Sequence, residues 1–125
     1  MNIKNIDHIV LTVRDLEASI AFYTAILGMQ AETFGNNRVA LKFGQQKINL
    51  HQYGHEFEPK AEQPTPGSAD LCFIINNDLQ QAMDEVKSQG INIIKGPVQR
   101  TGAAGKITSF YFRDPDSNLI EVAVY

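Results

Sequence analysis

Two stretches decide the fold: Asp7-His8-Ile9-Val10-Leu11-Thr12-Val13 and Ala69-Asp70-Leu71-Cys72-Phe73-Ile74-Ile75. Each is a short apolar run with side chains alternating between two faces, as in a strand. In the first, Ile9, Leu11 and Val13 form one apolar face, and His8, Val10 and Thr12 form a mixed one. Each run leads into a helical pattern. Asp15 is placed to cap a helix with Leu16, Ile20, Tyr23 and Leu27 at helical spacing, ended by Gly28. Asp78 is placed to cap another with Leu79, Ala82, Met83 and Val86, ended by Gly90. Gly28 and Gly90 are 62 apart, as are His8 and Asp70 (90 − 28; 70 − 8). The chain therefore repeats one plan, strand–helix–three strands, and two copies of such a unit must pair with each other, or with a second chain, to bury their sheets.

The remaining strands are expected at Gln30–Thr33, Arg38–Phe43 and Lys47–His51, then at Asn92–Ile94, Ile107–Phe112 and Leu119–Val124. Residues 53–68 lack periodicity and carry three prolines, so they read as a linker. The expected fold class is α+β, with two paired βαβββ modules forming a cupped, barrel-like mixed sheet. The expected organisation is a single domain over residues 1–125. Module one covers about 1–52, the linker 53–68, and module two about 69–125.

The bulk numbers exclude several function classes. The chain has 125 residues, 43% hydrophobic, and a net charge of −3. That provides enough apolar material for a core and no basic face for nucleic acid or a membrane surface. Met1–Asp7 lacks the apolar stretch of a secretory leader, and Cys72 is the only cysteine. A reducing, cytoplasmic setting and a buried, inert thiol are the expectations.

Polar groups recur at one phase of the strands. His8 lies on the mixed face of the first strand, and Asp70 has the same phase in its counterpart. In the last strand of module two, Glu121 stands opposite Ile120 and Val122. In that of module one, Asn49 and His51 stand opposite Ile48 and Leu50. His8, His51, Asp70 and Glu121 offer imidazole and carboxylate but no thiolate, a set suited to zinc, nickel, manganese or ferrous iron. Each also has an ordinary reading. A strand histidine can simply bond a neighbour, and an arginine would serve Glu121 as well as a metal would. There is no phosphate loop, dinucleotide-binding glycine pattern, paired cysteine motif or serine elbow.

Asp7–Val13 with Asp15-Leu16, Phe22-Tyr23 and Leu27-Gly28 resembles the opening of the glyoxalase/bleomycin-resistance/extradiol-dioxygenase superfamily, the vicinal-oxygen-chelate proteins. Phe112–Glu121 resembles that superfamily's closing strand pair. Lys47–Gln52 and Pro64–Phe73 are similar to a narrower lactoylglutathione-lyase-like subgroup of glyoxalase-domain proteins, some of them labelled virulence proteins. The resemblance implies a divalent metal with His8 and Glu121 as ligands. Asp70 stands where the superfamily usually has histidine, and His51 lies on the strand that carries a glutamate ligand in glyoxalase I, so His51 is the expected third ligand and Asp70 a weaker fourth or a group behind the ligands. It further implies a metal-dependent lyase or isomerase acting on a small oxygenated or thiol-adduct substrate, with Glu121 or water on the ion as base. A homodimer is implied as well. The alternatives are a fosfomycin-type thiol transferase, an extradiol dioxygenase, or a metal-independent drug-binding protein.

The same phase assigns His8, Thr12, His51, Ser109, Tyr111 and Glu121 to the pocket, with Val10, Cys72, Ile74 and Leu119 as its apolar part. No cationic cluster is evident in that lining, with Arg113 at its margin. Such a mixture suits a compact organic ligand.

Overall fold

The computed structural model describes residues Met1–Tyr125. It divides into two compact units, Met1–Pro66 and Gly67–Tyr125. In the first, β1 (His8–Val13) leads to α1 (Leu16–Leu27), then β2 (Gln30–Phe34), β3 (Arg38–Phe43) and β4 (Gln46–Gln52). In the second, β5 (Asp70–Ile74) leads to α2 (Leu79–Ser88), then β6 (Lys95–Gly102), β7 (Gly105–Arg113) and β8 (Leu119–Val124). Both sheets have one strand order, β1-β4-β3-β2 and β5-β8-β7-β6. The first and last strands of each unit pair in parallel, and the other pairs are antiparallel. Each unit is thus a βαβββ module with an open mixed sheet. Neither helix is long and apolar enough to cross a membrane.

The helix ends form where the sequence signals them. The Asp15 carboxylate accepts from Ala18 N at 3.2 Å, satisfying a donor with no intrahelical partner. Gly28 closes α1 in the left-handed conformation at φ 66°, where a side chain would cost energy. Asp78 accepts from Gln81 N at 2.9 Å in the same way. α1 buries Tyr23 and α2 buries Met83 and Val86. The sheet faces opposite them supply Leu11, Val13, Leu41, Ile48 and Leu50 in module one, and Phe110, Phe112, Ile120 and Val122 in module two. Each such side chain contributes about 1.5–3 kcal/mol by leaving water.

One strand differs from expectation. Asn92–Ile94 is not a strand but an extended lead-in, and the strand that forms is β6, Lys95–Gly102. Gly96, Pro97 and Gly102 read as breakers in sequence. The structure absorbs the first two in a register shift between Lys95 and Val98. Gly96 is required there: at φ 124° a Cβ would lie 2.6 Å from the Phe110 Cα.

A hydrogen-bonded turn sets the register of β8. Asp114 Oδ1 accepts from Asp116 N and Asn118 N, both at 2.9 Å, and Oδ2 accepts from Asn118 Nδ2 at 2.8 Å. Asn118 Oδ1 in turn accepts from Ala69 N at 2.8 Å, tying the start of β5 to the start of β8. This knot fixes Asp70 opposite Leu119 and Cys72 opposite Glu121.

Candidate functional site

In module one the face away from α1 carries His8, Val10 and Thr12 from β1, beside Lys47, Asn49 and His51 from β4. His8 registers with Lys47 and His51 with Thr12. The two histidines share a face but stand four steps apart, about 13 Å along the strands. The structure does not bring them together. His8 is exposed, its Nδ1 2.7 Å from Asp7 Oδ1. His51 is only 2% exposed, with its ring edge-on to Phe57 at 5.5 Å. Neither ring nitrogen of His51 has a hydrogen-bond partner. Burial, and then the nearby Arg38 charge, lower its pKa, so its ring is held neutral. The Arg38 guanidinium lies over both Phe57 at 4.9 Å and Phe34 at 5.3 Å, and Lys47 Nζ lies 4.0 Å from the Phe34 ring centre. This end of the face is closed by aromatic and cationic side chains.

In module two the corresponding face is open. Glu121 lies between Cys72 on β5 and Tyr111 on β7 in register. The Glu121 carboxylate is the neighbouring negative charge that helps both side chains keep their protons. Asp70 shares the face as a diagonal neighbour, two residues from Cys72. A cavity of about 390 Å³ opens here, with Glu121, Tyr111, Cys72 and Arg100 among its lining residues and Ile74 and Ile107 as apolar walls. Cys72 is exposed rather than buried, because β5 is an edge strand and this face is turned from α2. Its thiol is nevertheless pushed up to about 11, by desolvation first and by the Glu121 carboxylate second. Desolvation likewise raises Tyr111.

The two registers align the modules residue by residue. Asp70 faces Leu119 as His8 faces Lys47, so the counterpart of Glu121 is Asn49 and the counterpart of His51 is Ala123. His51 therefore lies two residues beyond the position that matches Glu121. No three His, Cys, Asp or Glu side chains gather as a metal-holding group. The donors themselves, the His8 imidazole and the Asp70 and Glu121 carboxylates, have the chemistry a divalent ion requires.

Of the residues assigned to the pocket from sequence, Cys72, Ile74, Tyr111 and Glu121 line the cavity. Ser109 is fully buried, with Oγ unpartnered. The residue missed was Arg100. It lies on β6, outside the strands expected from sequence, so no phase is assigned to it there. It adds a single cation to a lining in which no cationic cluster was expected.

These features have counterparts in known proteins. The profile of the Glyoxalase/Bleomycin resistance protein/Dioxygenase superfamily matches residues 5–122, and the chain belongs to that superfamily. It is 58% identical over 125 residues to virulence protein STM3117 of Salmonella typhimurium, covering all of this chain and 87% of that protein. It superimposes on an integron cassette protein from the mobile metagenome of V. cholerae with a TM-score of 0.99 at 60% identity, covering 100% of this chain and 98% of that one. More distantly, it is 32% identical over 123 residues to metallothiol transferase FosB of Staphylococcus epidermidis, covering 98% of this chain and 82% of that protein.

Proposed function

We propose that the protein is a metal-dependent lyase or isomerase of the glyoxalase type, acting on a small substrate that presents two adjacent oxygens. The observation that carries this reading is Glu121. Its neighbours Ile120 and Val122 are buried, while its own side chain lines the cavity, flanked in register by Cys72 and Tyr111. A carboxylate on the strand face that opens into a cavity is placed to meet a ligand.

His8 and Glu121 are the primary ligands in this reading, and Asp70 is the third. His51 enters the set only by turning its ring off Phe57. The ion, when bound, supplies Lewis acidity toward vicinal oxygens. Glu121 can accept a substrate proton, with Tyr111 and Cys72 beside it in register. Val10 and Ile74 are 48% and 49% exposed on edge strands β1 and β5, apolar surface suited to cover by a second copy. The reading therefore includes a homodimer, and light scattering should give twice the chain mass of 13.9 kDa.

The test is metal content after purification without chelator, followed by turnover of hemithioacetals, catechols and epoxides with thiols under zinc, nickel, manganese and ferrous iron. His8→Ala and Glu121→Ala should each lose stoichiometric metal, and Asp70→Ala should weaken binding less. Full metal content in both alanine variants would reject the ligand assignment. Thiol transfer is the second reading, favoured by the likeness to a metallothiol transferase. It predicts turnover only in the epoxide arm. A dimer that binds metal yet turns over nothing would support a small-molecule binding protein instead.

A further inference from the structure

The geometry points to Arg100 as the recognition residue for a carboxylate, so that the ligands of the module-two cavity are small monoanionic carboxylic acids with an apolar portion. The inference deepens the proposed function by naming a substrate class, and it rests on that reading only for what happens at Glu121.

Arg100 projects from β6 into the cavity lining. Its Nε donates to Tyr111 Oη at 2.9 Å, and Nη1 donates to the Gln99 carbonyl at 3.1 Å. No protein carboxylate pairs with it. A guanidinium has five N–H donors, and these two bonds leave three, including one on each terminal nitrogen. That free edge matches the two oxygens of a carboxylate.

Tyr111 orients the guanidinium. Its hydroxyl accepts from Arg100, and its place on β7 sets it beside Glu121 in register, so the ring stands between the cation and the carboxylate. A ligand carboxylate seated on Arg100 is thereby directed away from Glu121, and the rest of the molecule lies along the cavity between them. Ile74, Ile107 and the Tyr125 ring form the apolar wall for that portion.

Charge balance selects a monoanion. The cavity lining holds one cation, Arg100, and one anion, Glu121. A carboxylate is neutralised by Arg100, whereas in the metal-free cavity a dianion would leave a second charge facing Glu121.

The experiment uses the full metal-stripped chain labelled with nitrogen-15. Phenylacetate, phenylacetamide and phenylmalonate are titrated at neutral pH while the Arg100 Nε–H resonance is followed. Phenylacetate should shift that resonance saturably, with the isosteric amide at least about tenfold weaker. Arg100→Gln, a surface change that should preserve thermal stability, should bind phenylacetate as weakly as the amide. Tyr111→Phe should speed water exchange of the Arg100 Nε–H and weaken phenylacetate several-fold, leaving the amide unchanged. Equal binding of acid and amide, or an unchanged Arg100→Gln, would overturn the assignment. Tighter binding of phenylmalonate, a dianion at neutral pH with the same apolar group, would overturn its restriction to monoanions. The titration contains no metal, so its failure and that of the metal-dependent reading are separable.

Discussion

The two modules share a plan down to the register of their parallel strands, yet they treat the same sheet face in opposite ways. Module one seals the end of that face. Thr12 and His51 sit in register, and Phe57 and Arg38 cover the imidazole. Module two leaves its face open as a cavity around Glu121, with Tyr111, Cys72 and Arg100 converging on it. The difference shows that an internal repeat conserves backbone pairing without conserving the use of a position. Asn49 and Glu121 occupy equivalent sites, but Asn49 is buried whereas Glu121 lines a cavity.

The sharpest way to break this contrast is to remove the carboxylate from one module and the amide from the other. Glu121→Gln should reduce metal-dependent turnover by about 10²–10⁴-fold, the usual worth of a positioned acid–base group. Asn49→Ala should leave turnover within a few-fold. Steady-state rates on whichever substrate the panel identifies would check both, and equal losses would mean the modules contribute alike.

The next effect concerns the Asp114 turn, which fixes Asp70 and Glu121 relative to each other. Asp114→Ala strands three donors, two of them backbone, in a buried turn. It should cost about 3 kcal/mol of stability, measured by urea denaturation. A loss below about 1 kcal/mol would show that water replaces the carboxylate.

A smaller effect tests the electrostatics of the open face. Cys72 is exposed, but a pKa of about 11 against the ordinary 9.0 leaves about 100-fold less thiolate at neutral pH than an unperturbed thiol. Alkylation by iodoacetamide should be correspondingly slow. Glu121→Gln should accelerate it, because the neighbouring negative charge is gone. Rapid alkylation of the unmodified chain would refute the coupling.

The smallest effect belongs to the sealed face. The His51 pKa lies below 6.5 in the folded chain, so the unfolded chain binds more protons in the window beneath 6.5. Stability should therefore be full above that pH and decline as the pH falls toward the depressed value. In metal-stripped His51→Gln the melting temperature should depend less on pH across this window. An identical pH dependence in both proteins would remove His51 as its source.

Much of this was legible in the chain. Asp15 and Asp78 cap helices where their spacing to the apolar stripe places them, and Gly28 ends the first as expected. The polar phase of His8, Asp70 and Glu121 could be read because side chains alternate strictly along a strand. Only tertiary structure decided the rest. Strand alternation gives a face but not a register, so sequence could not choose between Asn49 and His51 as the counterpart of Glu121. The Asp114 knot and its bond to Ala69 made that choice. Nor could alternation reveal cover: His51 is closed off by Phe57, from the aperiodic linker, and Cys72 is left open by an edge strand. β6 was lost because glycine and proline signal a break locally. Its pairing with β7 across a register shift overrides that signal, and only that pairing brings Arg100 to Tyr111.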